Sequence, residues 1–331
     1  MDSLSNSFQS KFSLEEKRFY ISAIISLISA FKQHTRWHPT GQTVAENRFD
    51  DHEFTQFYYP VSLYVDQQQI YIVSHRNNCI MKWSLDSAQG AIAVNGSFLQ
   101  SQENEINSPK NVIFDNKTNS LIICDAGNRR VVQYSCSNEM KILIENIDCS
   151  GLAIDNQGYL YVSDFKQNYV QRWKIGEKKG VIVAGGHGQG SHRHQLDGPM
   201  HLFVDSEQSV YVSDYYNHRV MKWTKNAKEG IIVAGNGIEG NTLKQLSYPV
   251  GVVVDRFSTV YVADSNNHRV MCWTREARTG SIAVGGKGHG NDSEQLYCPF
   301  GLCLDRDNNL YVADSANHRV QKFSVDLTEM S

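Results

Sequence analysis

Three histidines recur fifty residues apart in one tetrapeptide, Asn-His-Arg-Val, at His218, His268 and His318. Imidazole is the commonest metal ligand and a frequent general base, so a metal or acid–base centre is the first chemistry to consider. A ligand set must converge on one point, whereas residues that recur with a repeat sit at equivalent places around it. The three are therefore read as structural groups that hydrogen-bond within their own turns. Asp214, Asp264 and Asp314, four residues before each histidine, are read the same way, as Asx-turn residues also paired with Arg219, Arg269 and Arg319. The run Gly185-Gly186-His187-Gly188-Gln189-Gly190 has the look of a phosphate loop, but no βαβ unit surrounds it and it too recurs. It reads as a crossover loop whose glycines supply positive φ. His192 and His194, flanking Arg193, do not follow the period and read as a solvated loop. The seven cysteines (Cys79, Cys124, Cys136, Cys149, Cys272, Cys298, Cys303) form no C-x-x-C pair or zinc spacing, and most are read as small buried apolar residues. No metal and no cofactor is expected from these sets.

Composition bounds the partners. The 331 residues are 40% hydrophobic and 11% aromatic, too apolar for a disordered chain. No apolar run reaches the ~20 residues of a membrane-crossing helix. The net charge of -3 offers no global field for nucleic acid, which excludes DNA as an expected partner.

The elements that must position these residues come from the repeat. VYVSDYYNHRVMKW (Val210 to Trp223) recurs as VYVADSNNHRVMCW (Val260 to Trp273) and LYVADSANHRVQKF (Leu310 to Phe323), with weaker copies from Ile70, Leu121 and Leu160. Each is preceded by a segment such as PVGVVVD (Pro249 to Asp255) and followed by one such as GIIVAGNG (Gly230 to Gly237). The stretches are short, rich in β-branched and aromatic residues and bounded by Gly, Asn, Asp and Pro, which makes them strands. Six units of four strands predict an all-β, six-bladed β-propeller. After Phe323 only eight residues remain, too few for a last outer strand, whereas GQTVAEN (Gly41 to Asn47) has its pattern. The N-terminal strand is expected to close the last blade.

The sixfold P-x-G-[VL]-x-[VL]-D, Y-V-[AS]-D-x-x-N-H-R-V and Gly-rich turn resemble the NHL repeat across residues 41 to 323, most closely in the three C-terminal copies. Ser74 replaces the acid in the first copy, Gln167 and Tyr169 replace Asn and Arg in the third, and the connection between the second and third copies is about eleven residues short. The resemblance implies a propeller of the kind found in ubiquitin-ligase binding domains, RNA- or protein-binding platforms, sensor domains and an amidating-lyase scaffold. No RING or B-box motif accompanies it here. The fold leaves the function open.

Two parts are expected, an N-terminal segment over residues 1–36 with a short apolar helix, and the propeller over residues 37–331. The run Phe19 to Phe31 reads equally as a signal-peptide core or as an amphipathic helix, with any membrane contact confined to residues 14–33. A signal or anchor would make the protein secreted or membrane-associated, and otherwise it would be cytoplasmic. The face that carries the second-to-third-strand loops and the first-strand openings is where the copies differ. There Lys110, Asn111, Phe165, Lys166, Met200, His201, Tyr215 and Tyr216 form the candidate partner-binding set, aromatic and basic on one rim. The favoured reading is a non-enzymatic, monomeric binding propeller for a protein or peptide. The alternatives are a single-stranded RNA binder and a metal-dependent lyase or hydrolase with its site in the central channel, where His201 has no evident partner ligands.

Overall fold

The computed structural model describes residues 35–46, 57–66, 68–85, 90–96, 105–137 and 139–326. The apolar run Phe19 to Phe31 lies outside the described residues, and with it the helix, signal and anchor readings.

Every stretch marked out by the repeat is a strand. β1 (Gln42–Glu46) comes first. Blade 1 is β2 (Pro60–Val65), β3 (Gln69–Ser74), β4 (Cys79–Ser84) and β5 (Gly90–Val94). Blade 2 is β6 (Asn111–Asp115), β7 (Ser120–Asp125), β8 (Arg130–Ser135) and β9 (Met140–Glu145). Blade 3 is β10 (Cys149–Ile154), β11 (Tyr159–Asp164), β12 (Tyr169–Lys174) and β13 (Val181–Gly185). Blade 4 is β14 (Pro199–Val204), β15 (Val210–Asp214), β16 (Arg219–Trp223) and β17 (Ile231–Gly235). Blade 5 is β18 (Pro249–Val254), β19 (Val260–Asp264), β20 (Arg269–Trp273) and β21 (Ser281–Gly285). Blade 6 has β22 (Pro299–Leu304), β23 (Leu310–Asp314) and β24 (Arg319–Phe323), and takes β1 as its outer strand. Thr43 lies opposite Gln321 and Ala45 opposite Val320. The innermost strands touch in the order β2, β6, β10, β14, β18, β22 and back to β2. The six-bladed propeller with an N-terminal closing strand is therefore the fold.

Strand alternation explains the stacking. In β15, Val210 and Val212 pack towards blade 3, while Tyr211 between them packs against Val252 and Val254 of blade 5. One apolar core of this kind fills each of the six joints between blades. Trp223, 1% exposed, lies flat over Gly230, where a Cβ would fall 2.8 Å from the indole. Gly41 stands to Phe323 as Gly230 does to Trp223, with a Cβ 2.8 Å from the ring. The closing strand thus reproduces the outer-strand contact with residues from opposite ends of the chain.

The cysteine reading needs correction. Cys79 and Cys272 are buried thiols as expected, but Cys136 is exposed, and Cys124 on β7 is bonded to Cys149, the first residue of β10, with Cα atoms 5.8 Å apart. The pair stitches blade 2 to blade 3 across the short connection. No spacing rule reveals it, because the two residues meet only through the packing of neighbouring blades.

Candidate functional site

The loop face is built from the turns that join second to third strands. Each turn ends on a residue in the left-handed region: Asn78, Arg129, Asn168, His218, His268 and His318, with φ between 48° and 57°. Five of these side chains accept the backbone N–H of the residue that precedes the next blade. Asn78 Oδ1 accepts from Ser108 at 2.8 Å and Asn168 Oδ1 from Gly198 at 2.8 Å. The Nδ1 atoms of His218, His268 and His318 accept from Tyr248 (3.3 Å), Cys298 (3.2 Å) and Tyr59 (3.1 Å). The histidines therefore bond across the joint to the next blade, which corrects the expectation that they bond within their own turns. Asn and His interchange here because both tolerate positive φ and both carry an acceptor. Arg129 offers no acceptor, and there an ion pair to Asp148, 3.0 Å, takes over.

An acceptor Nδ1 must be unprotonated. Burial holds His268 and His318 below the ordinary imidazole value, helped by His289 and by Arg76 respectively, although Asp314 pulls His268 the other way. Between the lowered folded value and 6.5 the unfolded chain binds a proton that the folded chain does not, so this contribution to stability is full above about pH 6.5 and falls as the pH is lowered. The buried Asp214, Asp264 and Asp314 are raised by burial and titrate in the opposite sense, so a variant comparison is needed to isolate the histidine. His268→Asn keeps the acceptor without the proton site. It should melt close to wild type at pH 8 and gain on it steadily towards pH 5, whereas a constant difference across that range would refute the assignment.

The aspartates pair with their arginines as expected, but their other oxygen reaches the previous crossover instead of closing an Asx-turn. Asp264 Oδ1 accepts the N–H of Ser247 at 2.7 Å and Oδ2 meets Arg269 Nε at 2.7 Å, while Asn267 Nδ2 bridges to the Gly240 carbonyl at 2.8 Å. Asp214 and Asp314 make the same contacts with Asp197 and Arg219, and with Tyr297 and Arg319. These groups clamp the crossover from the previous blade onto the turn of their own. Asx-turns of this kind occur instead in blade 3, where Asp164 Oδ1 accepts the N–H groups of Lys166 and Gln167, and after first strands, where Asp255 accepts from Phe257 and Thr259.

With the periodic residues accounted for, the departures from the period stand out. The Lys110 ammonium lies 5.1 Å over the Phe165 ring, Phe165 meets Tyr216 at 6.0 Å, Tyr216 meets Tyr215 at 4.9 Å, and Tyr215 meets Tyr248 at 4.9 Å. Tyr59 packs edge-on to Phe300 at 5.8 Å and carries Arg76 5.1 Å above its ring. The Tyr215 hydroxyl is raised chiefly by burial and further by Tyr216, Tyr248 and Tyr59, the last from the other side of the ring, so these aromatics crowd one mouth. Burial lowers the Lys110 ammonium, which makes no hydrogen bond or ion pair among the described residues. Lys166 is exposed and turned to Asp148, 3.0 Å away. Met200 is half-buried, its carbonyl accepting from Ser163 Oγ at 2.6 Å. Asn111 and His201 are buried one residue further in, off the rim. Sequence reasoning missed Tyr59, Arg76, Tyr248 and Phe300. Comparing the residues on either side of each blade-opening proline would have found three of them, since Tyr59, Tyr248 and Phe300 flank Pro60, Pro249 and Pro299.

Among the described residues no three His, Cys, Asp or Glu side chains converge as a metal site. His187, His192 and His194 do neighbour one another, with ring centroids 5.1 and 5.7 Å apart, but His187 Nδ1 is engaged by the carbonyls of Gly185 and His194.

The NHL repeat family model matches residues 246–273 and 296–323. No curated protein matches the chain in sequence. Among solved structures, an auxiliary nutrient binding protein from Bacteroides thetaiotaomicron is similar at 14% identity over 86% of this chain and 76% of that one, TM-score 0.67. A virginiamycin B lyase from Staphylococcus aureus is similar at 11% identity over 81% and 95%, TM-score 0.54. A chain of a nidogen/laminin complex is similar at 16% identity over 73% and 83%, TM-score 0.56. At such identities the likeness is one of fold, and the three differ in what they do.

Proposed function

We propose that this NHL-repeat, six-bladed propeller is a non-enzymatic binding protein that takes a protein partner on its loop face, through an acidic, extended segment laid across the channel mouth. The observation that carries this reading is the continuous run Lys110, Phe165, Tyr216, Tyr215 and Tyr248, contributed by four blades and built from residues that break the repeat. Aromatic side chains bury large area at small entropic cost, and with arginine they dominate binding hot spots. Arg76, Lys110, Arg129 and Lys166 lie on this side, with Arg129 and Lys166 sharing the Asp148 carboxylate, so an acidic partner finds cations to meet. Single-stranded RNA is the second reading, because bases stack on the same kind of aromatic platform.

The test is selection from a displayed peptide library, followed by rebinding of the selected peptides to Phe165→Ala and Tyr216→Ala. Acidic peptides should be enriched, and each variant should lose about tenfold or more in affinity, ~1.4 kcal/mol. Enrichment of basic peptides, or full binding by both variants, would refute the reading. Tighter binding of an oligouridine than of any peptide, falling steeply with salt, would transfer the site to RNA.

A further inference from the structure

The channel below the mouth carries a separate set of groups that the repeat does not explain. Two residues after each blade-opening Pro60, Pro109, Cys149, Pro199, Pro249 and Pro299, where blades 3, 5 and 6 have Gly151, Gly251 and Gly301, blades 1, 2 and 4 place Ser62, Asn111 and His201. Glycine at this position meets a steric demand in its own blades: a Cβ on Gly251 would fall 2.3 Å from the Phe300 carbonyl, and one on Gly301 would fall 2.7 Å from Ser62 Cα. The three polar residues are 3%, 6% and 7% exposed. Their side chains make no hydrogen bond to any described residue, yet none is sealed off, because all three line an open cavity. Three unpartnered polar side chains converging at one level of one otherwise apolar cavity are the arrangement that fixes and orients a ligand.

The cavity has a volume of about 470 Å³ and draws its walls from all six blades. Past the polar layer the walls are apolar, with Leu63, Val112, Leu202 and Leu302 and then Phe114 and Phe203. It ends among the first-to-second-strand turns at Asp115, Asn116, Lys117, Asp155 and Asn156, on the face away from the aromatic mouth, where both carboxylates are already taken up by their own turns. Burial, and next the nearby Lys110 ammonium, push His201 down to about 4, so its ring is neutral and supplies one N–H donor. The polar end thus has a hydroxyl, an amide and an imidazole as neutral donors, backed by the Lys110 ammonium, which feels Asp148 but makes no ion pair among the described residues.

We infer that the central channel binds a small amphiphilic carboxylate, its head held by Ser62, Asn111 and His201 near Lys110 and its hydrocarbon body lying along the apolar walls. One negative charge answers the one unpaired ammonium, and the neutral donors satisfy the oxygens without adding charge. The apolar length beyond the head excludes a ligand that is polar throughout.

Titration calorimetry of the full chain with butyrate, hexanoate and octanoate tests this, with octanol and octylamine as controls. Affinity should rise about fourfold per added methylene, as burial of hydrocarbon requires. Octanoate should bind at least tenfold more tightly than either control. His201→Leu should weaken octanoate tenfold or more, and Lys110→Met should remove its advantage over octanol. Asn111→Leu provides a second disruption of the head site if His201→Leu does not fold, as judged by its melting curve. Absence of octanoate binding, equal binding of octanol, or undiminished binding by the folded variants would each overturn the assignment.

Discussion

A chain that begins at Asn47 is expected to lose cooperative unfolding when compared with one that begins at Arg36. The difference between them is the segment that closes the ring. β1 pairs with β24 along its length, Gly41 donates its N–H to the Ser293 carbonyl at 2.7 Å, and the Asp326 N–H donates to the Arg36 carbonyl at 2.9 Å. Trp37, 5% exposed, packs on Tyr261 at 4.7 Å and donates its indole N–H to the Asn308 carbonyl at 2.8 Å. Ala45 lies in the core between blades 6 and 1 with Tyr311 and Val320. Removing a buried Trp alone costs about 3–5 kcal/mol, and here the edge of β24 loses its partner as well. Total stabilities run to about 5–15 kcal/mol, so the shortened chain should be largely unfolded or self-associated through the bare edge. Denaturant unfolding followed by tryptophan fluorescence, with size-exclusion chromatography, reads both outcomes. Addition of the 36–46 peptide should restore the transition, and equal stability of the two chains would show that the ring does not depend on this closure.

The second large effect is expected at a clamp. Arg269→Cys should destabilise the protein by about 3–5 kcal/mol, because it strands a carboxylate buried without its counter-ion. Asp264 is 0% exposed, and Arg269 also donates to the Thr242 and Gln245 carbonyls at 3.1 and 3.4 Å. Blade 1 shows the neutral alternative: Ser74 and Cys79 occupy the two positions, and Ser74 Oγ accepts the Tyr58 N–H at 3.0 Å. Asp264→Ser combined with Arg269→Cys should therefore recover much of what the single change loses, since replacing a buried pair is far cheaper than breaking it. A double variant no more stable than Arg269→Cys would argue that the arginine acts mainly through the crossover carbonyls. Chemical unfolding of the four members of this cycle measures the coupling.

These clamps were legible as far as their chemistry: an Asp and an Arg five residues apart, on either side of a tight turn, belong together. What they hold was not legible, because the crossover carbonyls that Arg269 grips lie 24 and 27 residues earlier in the chain. The histidines divide in the same way. Their period marked them as structural, but their partners sit 30 residues ahead, or 259 back where His318 meets Tyr59 at the ring closure. For the candidate rim, residue type and strand order placed Lys110, Phe165, Tyr215 and Tyr216 on one face. They did not separate these from Asn111 and His201, one step inside the channel.

The sequence by itself determined the blade count, the order of strands within each blade and the closing strand. Those features follow from local periodicity and from the need of each unit to bury both faces against a copy of itself. Only the tertiary structure decided the Cys124–Cys149 bond, the aromatic run across four blades and the three polar side chains in the channel. Each depends on which residues from different blades the ring brings within a few ångströms of one another. A period identifies equivalent positions, whereas distance between non-equivalent ones is a property of the closed ring.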